Sequence, residues 1–359
     1  MTPIESKGLQ DELAFISKLI YGNWATQITY VFAELGIADV LSRRAKNIDQ
    51  LAEALNVNGG YLKRYLRCAA NLGFLSHNTQ TGLYHLSNRG KLLGSEHPES
   101  KREEARLNGA DYRYQPWGSL LEILKYGMIE NFSPTYNKGA SVYLKDKPIQ
   151  LETFHKAMAA ISRKENTNIF KDYDFSRFSR VLDIGSGEGG FIKAILDNEP
   201  HLHGCMFDLS GFDLPETFDM DKEDKYKGRL IQKQGDFFDE IPDYADLYTM
   251  KNILHNWPED RAIKILENTR DAMLSQKGNK THPIQKRLLI IENLLTETND
   301  YNVANWMDLN FMILLDGAER TLKEYECLAD KCGFSLKNSI KTTSGRHILE
   351  FSLTHWQRA

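Results

Sequence analysis

RVLDIGSGEGG, residues 180–190, is the stretch that decides the fold. Its first five residues form a short, mostly apolar run of the kind that makes a strand buried on both faces. Gly185, Gly187, Gly189 and Gly190 follow, and the loop opens onto the helical run GFIKAILDN (190–198). The string satisfies G-x-G-x-x-G through Gly185, Gly187 and Gly190. It also satisfies D-x-G-x-G-x-G through Asp183, Gly185, Gly187 and Gly189. Glycines let backbone approach a ligand closely, and a helix N-terminus offers free amides, so the unit reads as a cradle for a polar ligand.

Further apolar runs lie downstream: GCMFDL (204–209), LIQKQGD (230–236), ADLYTMKN (245–252), RLLIIENLL (287–295), FSLKNSI (334–340) and HILEFSL (347–353). Helical segments separate most of them, notably 259–274 and 321–332. Strands alternating with helices predict an α/β fold built on a mostly parallel, doubly wound sheet. Only residues 342–346 separate the last two runs, which predicts an antiparallel C-terminal hairpin. The polar stretch 276–286 reads as a surface loop.

Upstream, Leu13, Ile16, Leu19, Ile20, Ile28, Phe32, Leu35 and Ile37 recur at helical spacing. A helix over 48–55, a turn at Asn58-Gly59-Gly60, a second helix to Asn71 and a hairpin through 78–82 then describe a winged helix-turn-helix. Residues 101–175 are helical again and rich in aromatics (Tyr112, Tyr114, Trp117, Tyr126, Phe132). The expected organisation is a helical winged-helix domain over 1–100, a helical linker and pocket segment over 101–175, and a ligand-binding catalytic domain over 176–359.

Composition narrows the function. The chain has 359 residues, 41% hydrophobic and 26% charged, which suits two or more packed domains and excludes a disordered polymer. The net charge of −4 supplies no field for holding nucleic acid or anionic lipid. The winged helix has Lys63, Arg64 and Arg67 on its second helix, yet residues 47–100 contain five Lys/Arg against four Asp/Glu. A net of +1 is too weak for phosphate binding, so the motif reads as architecture and no nucleic-acid partner is expected. The apolar content of 13–41 fits a buried contact with a second copy. Cys68, Cys205, Cys327 and Cys332 form no C-x-x-C pair, which argues against a disulfide framework or a zinc site. No run reaches the roughly 18 apolar residues of a membrane span, and the start lacks a basic-then-apolar leader. A cytoplasmic protein with no membrane partner is expected.

The glycine loop alone fits both nicotinamide and S-adenosylmethionine (SAM) enzymes. Three acids favour SAM: Asp183 at the first strand end, beside the cofactor's amino group; Asp208 at the second, for the ribose hydroxyls; and Asp236-Phe237 after the third, for adenine. A parallel sheet ending in an antiparallel hairpin is also typical of class I methyltransferases. The fourth strand leads into Met250-Lys251-Asn252-Ile253-Leu254-His255-Asn256-Trp257-Pro258. His255 is expected on the cofactor edge, with Asn256 capping the next helix and Pro258 in its first turn. Methyl transfer from a sulfonium to a hydroxyl needs an oriented acceptor and a base, and a neutral imidazole serves near neutral pH. Glu292 and Glu319 are the carboxylates expected to fix its tautomer. No metal is expected.

The chain resembles the small-molecule O-methyltransferase family with an N-terminal winged-helix dimerisation domain, which includes caffeate-type and hydroxyindole O-methyltransferases. The resemblance is carried by FHKAM (154–158), LDIGSGEGG (182–190), FDL (207–209), GDFF (235–238), MKNILHNW (250–257), IIENLL (290–295) and GAERTLKEY (317–325). It implies a class I methyltransferase fold, a homodimer, and SAM held by Gly185, Asp208, Asp236, Phe237 and Lys251, with Asp183, Gly187 and Leu209 alongside. His255 would be the base, flanked by Glu292 and Glu319. Phe154 and Met158 would lie against the acceptor, an aromatic or polyketide-like molecule; Ile161, Trp257, Phe311 and Met312 complete the expected pocket. The family commonly has His-Asp-Trp where this chain has His255-Asn256-Trp257.

Overall fold

The computed structural model describes residues 3–128, 132–136, 139–209, 224–275, 286–298 and 300–354. All of the expected 276–286 loop except Lys286 lies outside these residues. The chain divides into two compact units, Met1–Gln115 and Pro116–Ala359. This boundary falls between the two placed at residues 100 and 175 from sequence, so most of the 101–175 segment belongs with the sheet. Long-range packing, which helical periodicity does not record, sets that membership.

The first unit is helical over Pro3–Ile20, Gly22–Glu34, Ile37–Arg43, Ile48–Leu55 and Gly59–Asn71. Asn47 and Gln50 close a reciprocal capping box at the Ile48 helix, and the Asn58 side chain caps the Gly59 helix. Strands β1 (Leu75–Asn78) and β2 (Leu83–Leu86) pair antiparallel after them. Phe32, Ile37, Leu51, Leu66, Phe74 and Leu75 form the core. Lys63, Arg64 and Arg67 are exposed, so the basic residues of the second helix lie on a solvated face.

The second unit contains a seven-stranded sheet. Its strands are β3 (Arg180–Ile184), β4 (His203–Asp208), β5 (Leu230–Gln234), β6 (Leu247–Lys251), β7 (Arg287–Glu292), β8 (Phe334–Lys341) and β9 (His347–Leu353), in spatial order β5-β4-β3-β6-β7-β9-β8. The first five run parallel; β9 is antiparallel to β7 and β8 antiparallel to β9, as the sequence predicts. Successive side chains alternate between two apolar layers. Leu182, Ile184, Leu288 and Ile290 pack in one layer with residues of the Glu259–Leu274 and Leu322–Lys331 helices. Val181, Leu289 and Ile291 pack in the other with the Gly190–Asn198 helix. Sheet order reverses at β3 and β6, and the loops leaving these two strands form the crevice where ligands of such sheets bind.

Gly185, at the mouth of that crevice, has φ of 70°, and a Cβ there would lie 2.3 Å from Ile253 Cδ1. The glycine therefore serves both the turn and the contact with the β6 loop. Gly185→Ala is expected to destabilise the protein by about 1–3 kcal/mol in chemical denaturation. Unchanged stability would show that the loop does not need this close approach.

Candidate active site

Asp183, Asp208, Asp236, His255 and Glu292 stand at or just after the carboxyl ends of parallel strands. After β3, the Gly185 and Ser186 amides donate to the Phe207 carbonyl, and the Gly187 amide donates to Asp208 Oδ2 at 2.7 Å. Asp208 Oδ1 accepts from the Leu209 amide at 2.8 Å. Burial raises the Asp208 pKa, and these two amides pull against that rise. Asp183 is 3% exposed and accepts from the Thr249 hydroxyl at 2.6 Å. Burial, with Asp208 adding, outweighs Thr249 and Lys251 and pushes its carboxyl up to about 7. After β5, Asp236 Oδ1 accepts from the Phe238 amide, and Phe237 is buried.

The residues at this edge fit a polar cofactor such as SAM. Ser186 Oγ and Asn252 Oδ1 are buried without a hydrogen-bond partner among the described residues, at the ends of β3 and β6. Among the described residues, a Cβ on Gly187, whose φ is 52°, would meet nothing within 4 Å, so the loop has open space beside it. Buried polar atoms with free capacity beside open space are groups that a ligand satisfies.

The β6 loop and the end of β7 supply the second part of the site. His255 is 4% exposed; its Nδ1 lies 3.0 Å from Glu292 Oε2 and 3.3 Å from Glu319 Oε1. The Phe311 ring packs 4.1 Å from the imidazole. Burial acts to lower the His255 pKa, but Glu292 and Glu319 outweigh it and raise the value to about 9. In turn His255 outweighs burial at Glu292 and holds that carboxyl below its usual range. Both carboxylates lie against Nδ1, which leaves Nε2 as the ring nitrogen clear of them. Glu292 Oε1 also accepts the Ile253 and Leu254 amides at 3.0 Å each.

The Pro148–Asp172 helix borders the glycine loop. His155 Nδ1 lies 3.1 Å from Glu188 Oε1, and Asn166 Nδ2 donates to the Gly190 carbonyl. Lys251 Nζ, expected at the cofactor, lies 2.9 Å from both Glu165 Oε2 and Ser162 Oγ on this helix, and Arg346 Nε holds Glu165 Oε1 at 2.8 Å. Burial would raise the Glu165 pKa, but the two cations outweigh it and keep the carboxyl ionised. Phe154, Met158 and Ile161 are half-buried on the same helix. Trp257 sets its ring edge-on against Phe237 and Phe238, and Met312 is half-buried on the Val303–Leu315 helix.

Two features depart from the sequence reading. Asn256 does not cap the next helix. That helix starts at Glu259 with Pro258 as its N-cap, which leaves Asn256 too early in the chain. Its Nδ2 instead donates to the Asn252 carbonyl at 3.0 Å, which an ionised Asp cannot do. Sequence reading also missed Thr249, Ser162, Glu165, Asn293 and Arg346. Glu165 had a signal: 154, 158, 161 and 165 share one helical face. Asn293, which donates to Glu319 Oε1 at 3.2 Å, is adjacent to Glu292.

Comparison with known proteins agrees with this architecture. Residues 117–335 match the O-methyltransferase domain family. The chain is 32% identical to the phenazine O-methyltransferase PhzM of Lysobacter antibioticus, over 98% of this chain and 99% of that one. It is 26% identical to an 8-amino-8-demethylriboflavin N,N-dimethyltransferase of Streptomyces davaonensis, over 86% of each. A solved structure of NcsB1, an O-methyltransferase from neocarzinostatin biosynthesis, in complex with SAM and 2-hydroxy-5-methyl naphthoic acid, has a TM-score of 0.77 and 25% identity. It covers 92% of this chain and 96% of its own. The chain belongs to the O-methyltransferase domain family and is a SAM-dependent methyltransferase.

Proposed function

We propose that the protein transfers the SAM methyl group to a hydroxyl of a small aromatic or polyketide-like natural product, with His255 as general base. The observation that carries this reading is the buried imidazole held at Nδ1 by two carboxylates, on the sheet edge that also bears the glycine loop. SAM supplies an already activated methyl, and no metal is needed. The protein's work is to orient the acceptor and remove its proton. A phenol of pKa about 10 is matched to an imidazole whose pKa stands well above the usual 6.5. Glu292 and Glu319 stabilise the imidazolium that forms. Asp183, Gly185, Gly187, Asp208, Leu209, Asp236 and Phe237 would hold the cofactor. Lys251, committed to Glu165, would reach it with its remaining donor. Phe154, Met158, Ile161, Phe311 and Met312 would line the acceptor side.

N-methylation is the second reading, favoured by the relative named as an N,N-dimethyltransferase. A neutral amine attacks the methyl with its lone pair, and the ammonium that forms then releases its proton without a strong base. Wild-type turnover on phenolic against amine acceptors separates the two readings, and the base role is tested by His255→Ala. It should leave SAM affinity nearly unchanged and reduce turnover on a phenolic acceptor by roughly 10²–10⁴. Wild-type turnover in that variant would remove the base assignment.

The protein is further proposed to be a cytoplasmic homodimer joined through its N-terminal region. No described helix is long and apolar enough to cross a membrane. Leu13, Phe15, Ile16, Leu19, Ile20 and Trp24 are all more than half exposed, apolar side chains that a second copy would cover. Sedimentation at low micromolar concentration should give twice the 41.2 kDa chain mass. A monomer would contradict the proposal.

A further inference from the structure

We propose that Arg320 and Gly317 are positioning residues that fix the turn carrying His255. This inference rests on the reading of His255 as the base. The turn, residues 252–257, leaves β6 through Asn252, which has φ of 60°. Its amide side is held by Glu292, as described above. Its carbonyl side is held by one guanidinium: Arg320 Nη1 donates to the Leu254 carbonyl at 3.2 Å and Nη2 to the Trp257 carbonyl at 3.0 Å. These carbonyls flank His255 on either side. Nη1 also reaches the Ala318 carbonyl at 3.0 Å. A planar fork can bridge two carbonyls in this way, and a lysine ammonium on a flexible stem cannot hold the same geometry.

Gly317 closes the gap between the two segments. A Cβ there would lie 2.3 Å from the His255 carbonyl oxygen and 2.8 Å from the Asn256 carbonyl carbon. Backbone so close to backbone cannot yield as a flexible side chain would, so any larger residue must push the turn away. The segment is itself anchored: the Glu319 amide donates to Asp308 Oδ1 at 2.9 Å, and the Arg320 carbonyl accepts from the Leu295 amide at 3.1 Å. The four residues 317–320 thus deliver a carboxylate to the imidazole and fix the backbone that bears the imidazole. Ring and carboxylate are registered as one piece.

The charged and titratable groups around the ring come from several elements. Glu292 ends β7 and Glu319 precedes the Leu322–Lys331 helix. Arg346 on the hairpin acts on both carboxylates, Tyr325 lies beside them, and Asp308 holds the Glu319 amide. Loosening the clamp changes none of these charges except at Arg320, and at Gly317 it changes none at all.

The test is an NMR titration of the His255 imidazole in the full-length enzyme, assigned by its absence in His255→Ala, with kcat and SAM Kd measured beside it. Wild type should titrate near 9. Arg320→Lys and Gly317→Ala should each bring the midpoint down by about one unit or more, because a displaced ring loses its carboxylates. Each should reduce kcat about 10- to 100-fold, with SAM Kd within about threefold of wild type. A folded Arg320→Lys with the wild-type midpoint overturns the proposal, even if its melting temperature falls. If Arg320→Lys fails to fold, Gly317→Ala decides alone by the same reading. Wild-type turnover in His255→Ala would remove the base role, while the midpoints would still decide whether the clamp positions the ring.

Discussion

One imidazole held between two buried carboxylates organises the second unit. Charges this deep are costly unless paired and hydrogen-bonded, and removing one partner leaves another stranded. His255, Glu292 and Glu319 answer one another directly. Glu292 Oε1 also accepts the Ile253 and Leu254 amides and Glu319 Oε1 accepts from Asn293, while Glu319 Oε2 is buried without a hydrogen-bond partner among the described residues. The β6 loop, the end of β7 and the 317–320 segment can each be placed only where this group allows. The glycine loop follows, since Gly185 packs directly on Ile253 of the β6 loop.

The same arrangement suits the chemistry. In the resting protein the raised pKa leaves His255 protonated near neutral pH. A cation held at the neighbouring glycine loop would disfavour a second cation at His255 and so favour loss of the imidazole proton. The Pro148–Asp172 helix adds a link between the two halves of the reaction. It bears the side chains expected against the acceptor, yet its anchors are Glu188 of the glycine loop and Lys251 at the end of β6.

Much of this was legible in the sequence because local pattern and sheet position coincide. A parallel sheet puts every strand's carboxyl end on one edge, so Asp183, Asp208, Asp236, His255 and Glu292 converge wherever the strands are correctly read. The Glu259–Leu274 helix and the β8–β9 hairpin followed from periodicity and connection length. What remained hidden depends on partners distant in the chain. Nothing local says that Lys251 meets Glu165, that Arg320 grips carbonyls at 254 and 257, or that residues 116–175 pack with the sheet. Asn256 misled for a related reason. A residue two places before a proline resembles a helix cap, and only the fold shows its amide turned back to Asn252.

Two buried carboxylates raise the basicity of His255. The pH dependence of kcat in wild type and Glu319→Gln tests this most directly. Below its pKa His255 carries the proton and cannot accept another, so activity rises with pH along a limb that reports this group. Removing one carboxylate destabilises the imidazolium, and the limb in Glu319→Gln should move to lower pH by about one unit or more. A limb that stays in place while the variant remains folded and binds SAM would contradict the account.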